Sequence, residues 1–457
     1  MASLTTEDCA ALPQRLPSCR RRVRRGAKSK NCTTCVDIDG SMGEGGGQII
    51  RISICLGCLM NQSVRVQKIR AGRSKPGLQR QHLTGAKLCA DLVRGKIRNA
   101  SLNSAVLDYD AKARKSIQKL QKQEIPKRTI VADCVTAGSV TLLMQAVLPI
   151  LHFVTTPTEI NLIGGTTVGF SPPYSYFQNV LFPILRDRFQ ANLCVRLVQE
   201  GYNPEGKGHV VASAGYGQAQ VEPLQPVEMI SQGSIVQFVC DVVIIGNKIA
   251  ADQKVLEREA HDIIETVTAA VNTLPGSWRS SHERGDQALS FASWDAKTNA
   301  SLSGLVRGVR FNFSYECRGT FKNSGIALQV YAVTSTGCIL PGNALLQRKK
   351  TSGIGSEVAK LAVRTLLHEL KSGACCDEHL SDQLLVFMAL AKGTSKIRCR
   401  VLSDMSSKHF VTALYVFDKL VPGAKFKVLP SDDNNQTQVI VCEGVGFMGG
   451  DINRIYL

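Results

Sequence analysis

The chain has 457 residues, of which 44% are hydrophobic and 20% charged, a balance that excludes an intrinsically disordered, collagen-like or coiled-coil protein. Its 55 Lys and Arg outnumber 37 Asp and Glu, and the net charge of +18 favours a polyanionic partner. The longest uncharged apolar run, residues 140–154, is shorter than the roughly 18 residues that identify a membrane span, so we expect no membrane segment.

The first 35 residues differ in composition from the rest of the chain. They contain the basic run Arg20–Arg25 and little apolar periodicity, which predicts a disordered tail. A run of this kind is typical of a nuclear-import signal or a nucleic-acid arm. We therefore expect a nuclear protein, in the nucleoplasm or nucleolus, with a cytoplasmic pool also allowed.

The sixteen cysteines are scattered over a chain that lacks a signal-peptide pattern, which predicts reduced thiols. Four of them, Cys32, Cys35, Cys55 and Cys58, have the spacing of a zinc ribbon. However, the second pair lies in the apolar run 52–60, where a buried helix face is the alternative interpretation. The spacing leaves both interpretations open, with the buried helix favoured.

From Val36 onward, short β-branched runs alternate with amphipathic segments, as in an α/β protein. In the first half we predict strands at 36–39, 64–69 and 159–163. We also predict three helices: one that ends before Gly95, one at 140–148 with Thr136 as its N-cap, and one at 174–189 with a kink at Pro183. In the second half we predict a strand at 235–245, a helix at 256–274, a loop at 277–299, a strand at 326–332 and a helix at 358–370. The last segment predicts a helix at 378–391, a strand at 396–402, a helix at 407–419 and two closing strands. No strong internal sequence repeat is evident.

A glycine cluster, Gly43-Glu-Gly-Gly-Gly-Gln48, follows the first predicted strand. Clustered glycines let a backbone approach a phosphate closely, although the established nucleotide-binding patterns do not match. An acid within such a turn suits a divalent cation, and Arg51 further along suits an anion. A tight strand-to-helix turn is the structural alternative.

Six cations and no acid lie between Arg65 and Arg80. Glycine and proline interrupt this run at turn positions, which distinguishes it from an ordinary solvated charge run. Arg70 and Arg73 in such turns predict a phosphate site, because guanidinium groups bind phosphate bidentately.

The C-terminal part carries two histidine-containing helices. On the first, His379, Asp382 and Gln383 have helical spacing that places them on one face. His409 opens an apolar stretch on the second. Each histidine alone is more often structural than catalytic.

Taken together, these motifs resemble the RNA 3′-terminal phosphate cyclases, in order and over about residues 36–450. The matching segments are Gly43–Gln48, Lys68–Arg73, Pro76–Leu78, Gln81–Leu83, Thr136–Ser139, Gly164–Thr166, Gly201–Tyr202, Thr334–Cys338 and Asp382–Leu384.

The resemblance implies ATP-dependent conversion of an RNA 3′-phosphate into a 2′,3′-cyclic phosphodiester through a covalent histidine–AMP and an RNA–adenylate. It implies His409 as the nucleophile and Glu44 as the acid that binds Mg²⁺ or Mn²⁺. It further implies that a second group lies around ATP, namely Gln145, Pro172, His379, Asp382 and Gln383, with Pro172 and His379 on the two faces of adenine. A third group is implied to handle RNA phosphates: Arg51, Arg70, Arg73 and His82.

The resemblance also implies a fold. A large domain of repeated βαβαββ-like units, residues 36–221 and 374–457, is expected to be interrupted by a smaller thioredoxin-like α/β insert at 222–373. The chain departs from the family pattern at four places: His379 replaces a tyrosine, Ser175 replaces an acid, Glu205-Gly-Lys-Gly208 replaces a Lys-Gly-Gly-Gly pattern, and residues 293–322 form a longer segment.

Two other functions stay open from the sequence. A catalytically silent, RNA-binding relative acting in pre-rRNA processing and ribosome assembly is one, although retention of His409, Glu44 and the arginines argues against it. A small-molecule transferase of related architecture, such as an enolpyruvyl transferase, is the other, and it leaves the +18 charge without a purpose.

Overall fold

The computed structural model describes residues 35–449, except 112–127, 155, 170, 215–220, 247–248, 250–251, 279–300, 317–323, 349–352, 403 and 431–435. The predicted disordered tail, with Cys32 and the basic run at 20–25, and most of the predicted loop at 277–299 lie outside the described residues. The described helices include none that is long and apolar enough to cross a membrane.

The first structural unit is a four-stranded sheet covered by two helices. Its elements are β1 (Val36–Asp39), α1 (Gly47–Leu59), β2 (Val64–Gln67), α2 (Arg80–Leu92), β3 (Lys96–Arg98) and β4 (Leu107–Asp110). Strands β1 and β2 are parallel, and the sheet order is β1-β2-β4-β3. β2 ends earlier than predicted because Lys68 and Arg70 have φ values of 51° and 52°, a left-handed conformation that a strand cannot continue.

The second unit repeats this topology. It consists of β5 (Arg128–Asp133), α3 (Val140–His152), β6 (Thr158–Gly164), α4 (Tyr174–Tyr176), a π-helical turn (Phe177–Leu181), α5 (Phe182–Asp187), β7 (Cys194–Gln199) and β8 (Gly208–Ala214). Its sheet order is β5-β6-β8-β7. The N-cap of α3 is Ser139, whose Oγ accepts a hydrogen bond from the Leu142 amide, rather than the predicted Thr136. The π turn comes just before Pro183, because proline removes a backbone donor from the helix.

A five-stranded sheet with two helices follows the short strand β9 (Glu228–Met229). It is formed by β10 (Ile235–Ile245), α6 (Gln253–Asn272), a 3₁₀ turn (Gly276–Trp278), β11 (Leu302–Val306), β12 (Val309–Glu316), β13 (Ser324–Thr334), β14 (Ile339–Arg348) and α7 (Ile354–Ser372). The order is β11-β12-β10-β13-β14. β10 is parallel to β12 and antiparallel to β13, a parallel pair extended by a hairpin, as expected for a thioredoxin-like unit.

The remaining elements complete a third βαβαββ unit around β9. They are α8 (Glu378–Leu390), β15 (Lys392–Arg400), α9 (Asp404–Leu420), β16 (Lys425–Pro430) and β17 (Thr437–Val445). β9 pairs in parallel with β15, and the order β16-β17-β15-β9 repeats that of the first two units. The five-stranded insert therefore interrupts the third unit between its first strand and its first helix. The predicted α/β fold class of repeated units with an insert is confirmed.

Two large hydrophobic cores match this organisation. One contains residues from Ile38 to Met229 and again from Cys338 to Cys442, and the other contains residues from Ile235 to Leu370. Residues 221–229 pack in the first core, so the second core begins later than the predicted boundary at 222. The domain boundaries themselves stay a prediction.

The predicted buried helix face at Cys55 and Cys58 is found on α1, where both side chains are almost fully buried in the larger core. Burial raises the pKa of the Cys55 thiol well above its ordinary value. Cys35 is exposed, and Cys32 lies outside the described residues. Surroundings of this kind are typical of cysteines that pack in a hydrophobic core, and they favour that role for Cys55 and Cys58.

Candidate active site

Helix α9 positions both His409 and the glycine loop between β1 and α1. Thr412, one turn after His409, accepts a hydrogen bond from the Glu44 amide at 2.9 Å and donates one to the Lys408 carbonyl at 2.7 Å. Gly43, at φ 62°, packs against the same threonine, where a side chain has no room. Helix α9 thus holds the glycine loop against its own surface. Glu44 and Thr412, which are 368 positions apart in the sequence, are brought into contact.

Glu44 and Arg73 connect the glycine loop to the cationic turn. The Arg73 guanidinium donates to the Glu44 carbonyl at 3.0 Å and also to one carboxylate oxygen of Glu44. Arg70 points back to the same turn, donating from Nη2 to the Lys75 carbonyl at 3.1 Å. Burial lowers the pKa of Arg70, and the neighbouring Arg73 charge lowers it further. Two cations held this close favour an anionic ligand.

A carboxylate lies directly beside His409. Asp382 Oδ2 is 3.2 Å from His409 Nδ1, while Gln48 Nε2 donates to the other Asp382 oxygen. Burial alone would lower the pKa of His409, but the hydrogen bond and charge of Asp382 outweigh burial and raise it above the ordinary imidazole value. An Asp382 that accepts the Nδ1 proton leaves the Nε2 lone pair available for nucleophilic attack.

Behind the loop, His82 is 5% exposed and stays neutral. Burial lowers its pKa to about 3, assisted by the Arg51 and Arg70 charges. Its Nδ1 accepts from the Gln79 amide at the start of α2, which fixes the ring. Arg51 on α1 is partly buried, and the charges of Asp382 and Glu44 oppose the lowering of its pKa by burial. Arg51 and His82 therefore present one fixed cation and one neutral imidazole.

Gly47 is needed because His82 and Arg51 approach the first turn of α1 closely. A Cβ at position 47 would lie 2.5 Å from His82 Nε2 and 3.0 Å from Arg51 Nη1. Since the His82 ring is held by its cap, we expect Gly47→Ala to lower the free energy of unfolding by about 1–3 kcal/mol. Urea unfolding measures this loss. Gly72→Ala is the matched control, since nothing lies within 4 Å of its Cβ, and an equal loss in both variants would contradict the crowding.

The opposite wall carries Pro172 and His379. The Pro172 carbonyl accepts from Thr141 Oγ1 at 2.8 Å, which ties the proline to the first turn of α3. His379 lies in the first turn of α8; its amide donates to Asp377, and its ring contacts Tyr176 edge to face at 5.9 Å between centroids. Both residues are therefore held by the surrounding elements before any ligand binds.

These elements surround a cleft of about 1050 Å³, which exceeds the volume that a nucleotide-sized ligand needs. The eleven predicted site residues all line it: Glu44, Arg51, Arg70, Arg73, His82, Gln145, Pro172, His379, Asp382, Gln383 and His409. The structure brings the whole predicted set together, although their individual roles stay predictions. Ser175 lines the cleft as well. Of the segment 293–322, the described part 301–316 forms β11 and β12 in the insert.

The cleft offers limited means to hold a metal ion. Among the described residues, no group of three or more His, Cys, Asp or Glu is arranged to bind one. Glu44, with one carboxylate oxygen engaged by Arg73, fits a cation that takes its other ligands from phosphates and water, as Mg²⁺ does. Gln48 Oε1 and Gln383 Oε1 are buried without a hydrogen-bond partner in the described part of the chain, which suits a ligand that supplies donors.

The sequence analysis missed several residues of the cleft. Gln48 holds Asp382, and the insert adds Asp241, Gln329 and Asn343. Thr412 lies outside the lining but holds the glycine loop. A signal for two of them exists, because Asp241 and Gln329 interrupt apolar strands with polar residues. An interruption of this kind indicates a surface that faces something other than the core.

Comparison with known proteins agrees with the geometry. A family model described as RNA 3′-terminal phosphate cyclase matches residues 42–428. The chain is 32% identical over 425 residues to a "Probable RNA 3'-terminal phosphate cyclase" of Dictyostelium discoideum, covering 91% of this chain and 84% of that one. It is 31% identical to the "RNA 3'-terminal phosphate cyclase" of Pyrobaculum aerophilum, covering 90% and 99%, and 28% identical to that of Drosophila melanogaster, covering 90% and 97%.

Proposed function

This chain belongs to the RNA 3′-terminal phosphate cyclase family, and we propose that it uses ATP to convert an RNA 3′-phosphate into a 2′,3′-cyclic phosphodiester. The observation that carries the proposal is the pairing of His409 with Asp382 in a cleft that also holds Glu44, Arg70 and Arg73. A nucleophile beside a carboxylate, facing fixed cations, is the arrangement that nucleotidyl transfer needs.

In the first step, His409 Nε2 attacks the α-phosphorus of ATP. The new N–P bond replaces the bond to pyrophosphate, which leaves, and the imidazole carries AMP. Asp382 holds the Nδ1 proton throughout and stabilises the positive charge that develops on the ring. Glu44 is the residue that would hold Mg²⁺ or Mn²⁺, and the ion's chemistry there is to neutralise phosphate charge.

In the second step, an oxygen of the RNA 3′-phosphate attacks the same phosphorus and releases His409. The neighbouring 2′-hydroxyl then loses its proton to water as its oxygen attacks the 3′-phosphorus, the bond from that phosphorus to AMP breaks, and the ring closes as AMP leaves. Arg70 and Arg73 neutralise charge on the RNA phosphate, assisted by Arg51, because phosphoryl transfer depends mainly on positioning and electrostatic stabilisation. Neutral His82 donates a hydrogen bond to a phosphate oxygen from Nε2.

Adenine lies between Pro172 and His379 in this proposal. An imidazole offers less stacking area than the tyrosine usual in the family, so we propose that Gln145 and Gln383 supply hydrogen bonds at the base edge. The unpartnered Gln383 Oε1 supports this role, since the exocyclic amine of adenine is a donor.

The basic run at 20–25 leads us to propose a nuclear site of action.

The test is to incubate the purified protein with ATP, Mg²⁺ or Mn²⁺, and an RNA oligonucleotide ending in a 3′-phosphate. We expect ATP-dependent formation of an end that resists phosphatase, with AMP and pyrophosphate released. The same oligonucleotide with a terminal 2′-deoxyribose is the control, because it lacks the hydroxyl that closes the ring. A folded protein that binds the RNA yet leaves its end sensitive to phosphatase would contradict the proposal and favour a silent RNA-binding role.

A further inference from the structure

A row of polar side chains crosses the five-stranded insert sheet at one register. Asp241 on β10 pairs with Asn312 on β12 and with Gln329 on β13, and Gln329 pairs with Asn343 on β14. The neighbouring residues Cys240, Val242, Leu328 and Val330 point into the core beneath α6 and α7. Because side chains alternate along a strand, the polar row lies on the opposite face of the sheet, and three of its four members line the cleft.

The hydrogen bonds of the row determine how each amide is turned. An ionised carboxylate only accepts, so Asn312 and Asn179 both donate to Asp241, each at 2.7 Å. Asn179 uses its second N–H for Gln329 Oε1 at 2.7 Å. Gln329 must then donate from Nε2, which it does to Asn343 Oδ1 at 2.9 Å. Asn343 is left with its Nδ2 donors, which have no hydrogen-bond partner among the described residues.

An apolar row lies next to the polar one. Val243 pairs with Ala327, which pairs with Leu345, and all three line the cleft. Val243 and Leu345 are partly buried, and Ala327 is buried in a small cluster with Tyr202 and Ile245. An apolar strip beside fixed N–H donors suits a nucleobase, whose face is apolar and whose edge carries carbonyl oxygens and ring nitrogens. This wall comes from the insert, whereas the residues proposed to hold adenine come from α3, α8 and the segment before α4.

We propose that this wall binds the base of the 3′-terminal nucleotide of the RNA, with Asn343 Nδ2 donating to the base edge and Val243, Ala327 and Leu345 covering its face. Asp241, Asn179 and Gln329 are positioning residues that fix the Asn343 amide. The inference rests on the proposed function, which supplies an RNA 3′ end to the same cleft.

The experiment measures RNA affinity directly and requires no catalysis. Two fluorescent RNA oligonucleotides ending in a 3′-phosphate are compared by anisotropy, one with a normal terminal nucleotide and one with an abasic terminal residue. We expect the unmodified protein to bind the first about ten-fold more tightly, the effect of one added hydrogen bond together with burial of the base face. Asn343→Leu keeps the side-chain size but removes the donors, and it should bind both oligonucleotides with nearly equal affinity.

Gln237→Leu is the matched control. Gln237 is an amide on β10 that is absent from the cleft lining, so this variant should keep the ten-fold preference. Thermal unfolding checks that each variant is folded, and Asn343→Ser replaces the leucine variant where it is not.

Three results contradict the inference. They are an unmodified protein with no preference for the base, an Asn343→Leu variant that weakens both oligonucleotides equally, and a control that behaves like Asn343→Leu. Labelling of the protein with α-labelled ATP is measured in parallel. Its absence would overturn the proposed catalytic function while leaving the result on base recognition valid, so the two failures are distinguishable.

Discussion

Replacing His409 with alanine is expected to abolish the transfer of AMP from ATP to the protein, a loss of about 10³-fold or more. The imidazole supplies the atom that bonds to phosphorus, so no other contact in the cleft compensates for it. Its side chain is 30% exposed, and its ion-pair partner Asp382 keeps a second hydrogen bond from Gln48. We therefore expect the variant to fold normally.

The measurement uses α-labelled ATP with Mg²⁺ or Mn²⁺, followed by a search for label on the polypeptide that is labile in acid and stable in base. His261→Ala is the matched control, because His261 is exposed on α6 and does not line the cleft. Labelling of the control but not of His409→Ala assigns the nucleophile. Equal labelling of both variants would contradict the assignment, and circular dichroism confirms that both are folded.

Much of the fold was predictable because hydrophobic periodicity dominates the chain. The strands at 36–39 and 235–245 and the helices at 378–391 and 407–419 have nearly the predicted bounds, since their apolar runs end where polar or turn-forming residues begin. The threefold repetition of the βαβαββ topology left no evident sequence repeat, because any apolar side chains of suitable size satisfy the same burial pattern. The resemblance to a family, rather than periodicity, supplied the repeated units.

The site was predictable to the extent that its residues lie in short motifs. Arg70 and Arg73 are close in sequence, so local turn chemistry indicated a phosphate site, and Glu44 was found separately within its own glycine cluster. The link between Glu44 and His409 depends on Thr412, whose hydroxyl reaches a backbone amide 368 residues away. Such a contact leaves no local pattern. Asp241, Gln329 and Asn343 come together only through strand register, which no single segment encodes.

Asp382→Asn is expected to reduce the rate of self-labelling about 10²-fold or more by imposing the wrong imidazole tautomer. Gln48 donates a hydrogen bond to one side-chain oxygen of Asp382. Asparagine has only one side-chain oxygen, so in the variant that oxygen accepts the hydrogen bond from Gln48. The new amide then presents its nitrogen, a donor, to His409 Nδ1. Nδ1 must become the acceptor, so the proton moves to Nε2 and blocks the attacking atom.

The same variant should shift the pH dependence of labelling. Nucleophilic attack requires neutral imidazole, so the rate in the unmodified protein rises with pH through the raised pKa of His409 and levels off above it. Asp382→Asn removes the hydrogen bond and charge that raise this pKa, while burial and the Arg51 charge, which lower it, remain. The half-maximal rate should therefore move to lower pH even as the plateau falls.

Single-turnover labelling measured across pH separates the two effects. Asp418→Asn is the matched control, because Asp418 is exposed on the same helix as His409 and does not line the cleft; it should change neither the plateau nor the midpoint. A lower plateau with an unchanged midpoint would mean that Asp382 contacts ATP without controlling His409. A midpoint moved to higher pH would contradict the pairing, because losing a negative neighbour cannot stabilise the imidazolium.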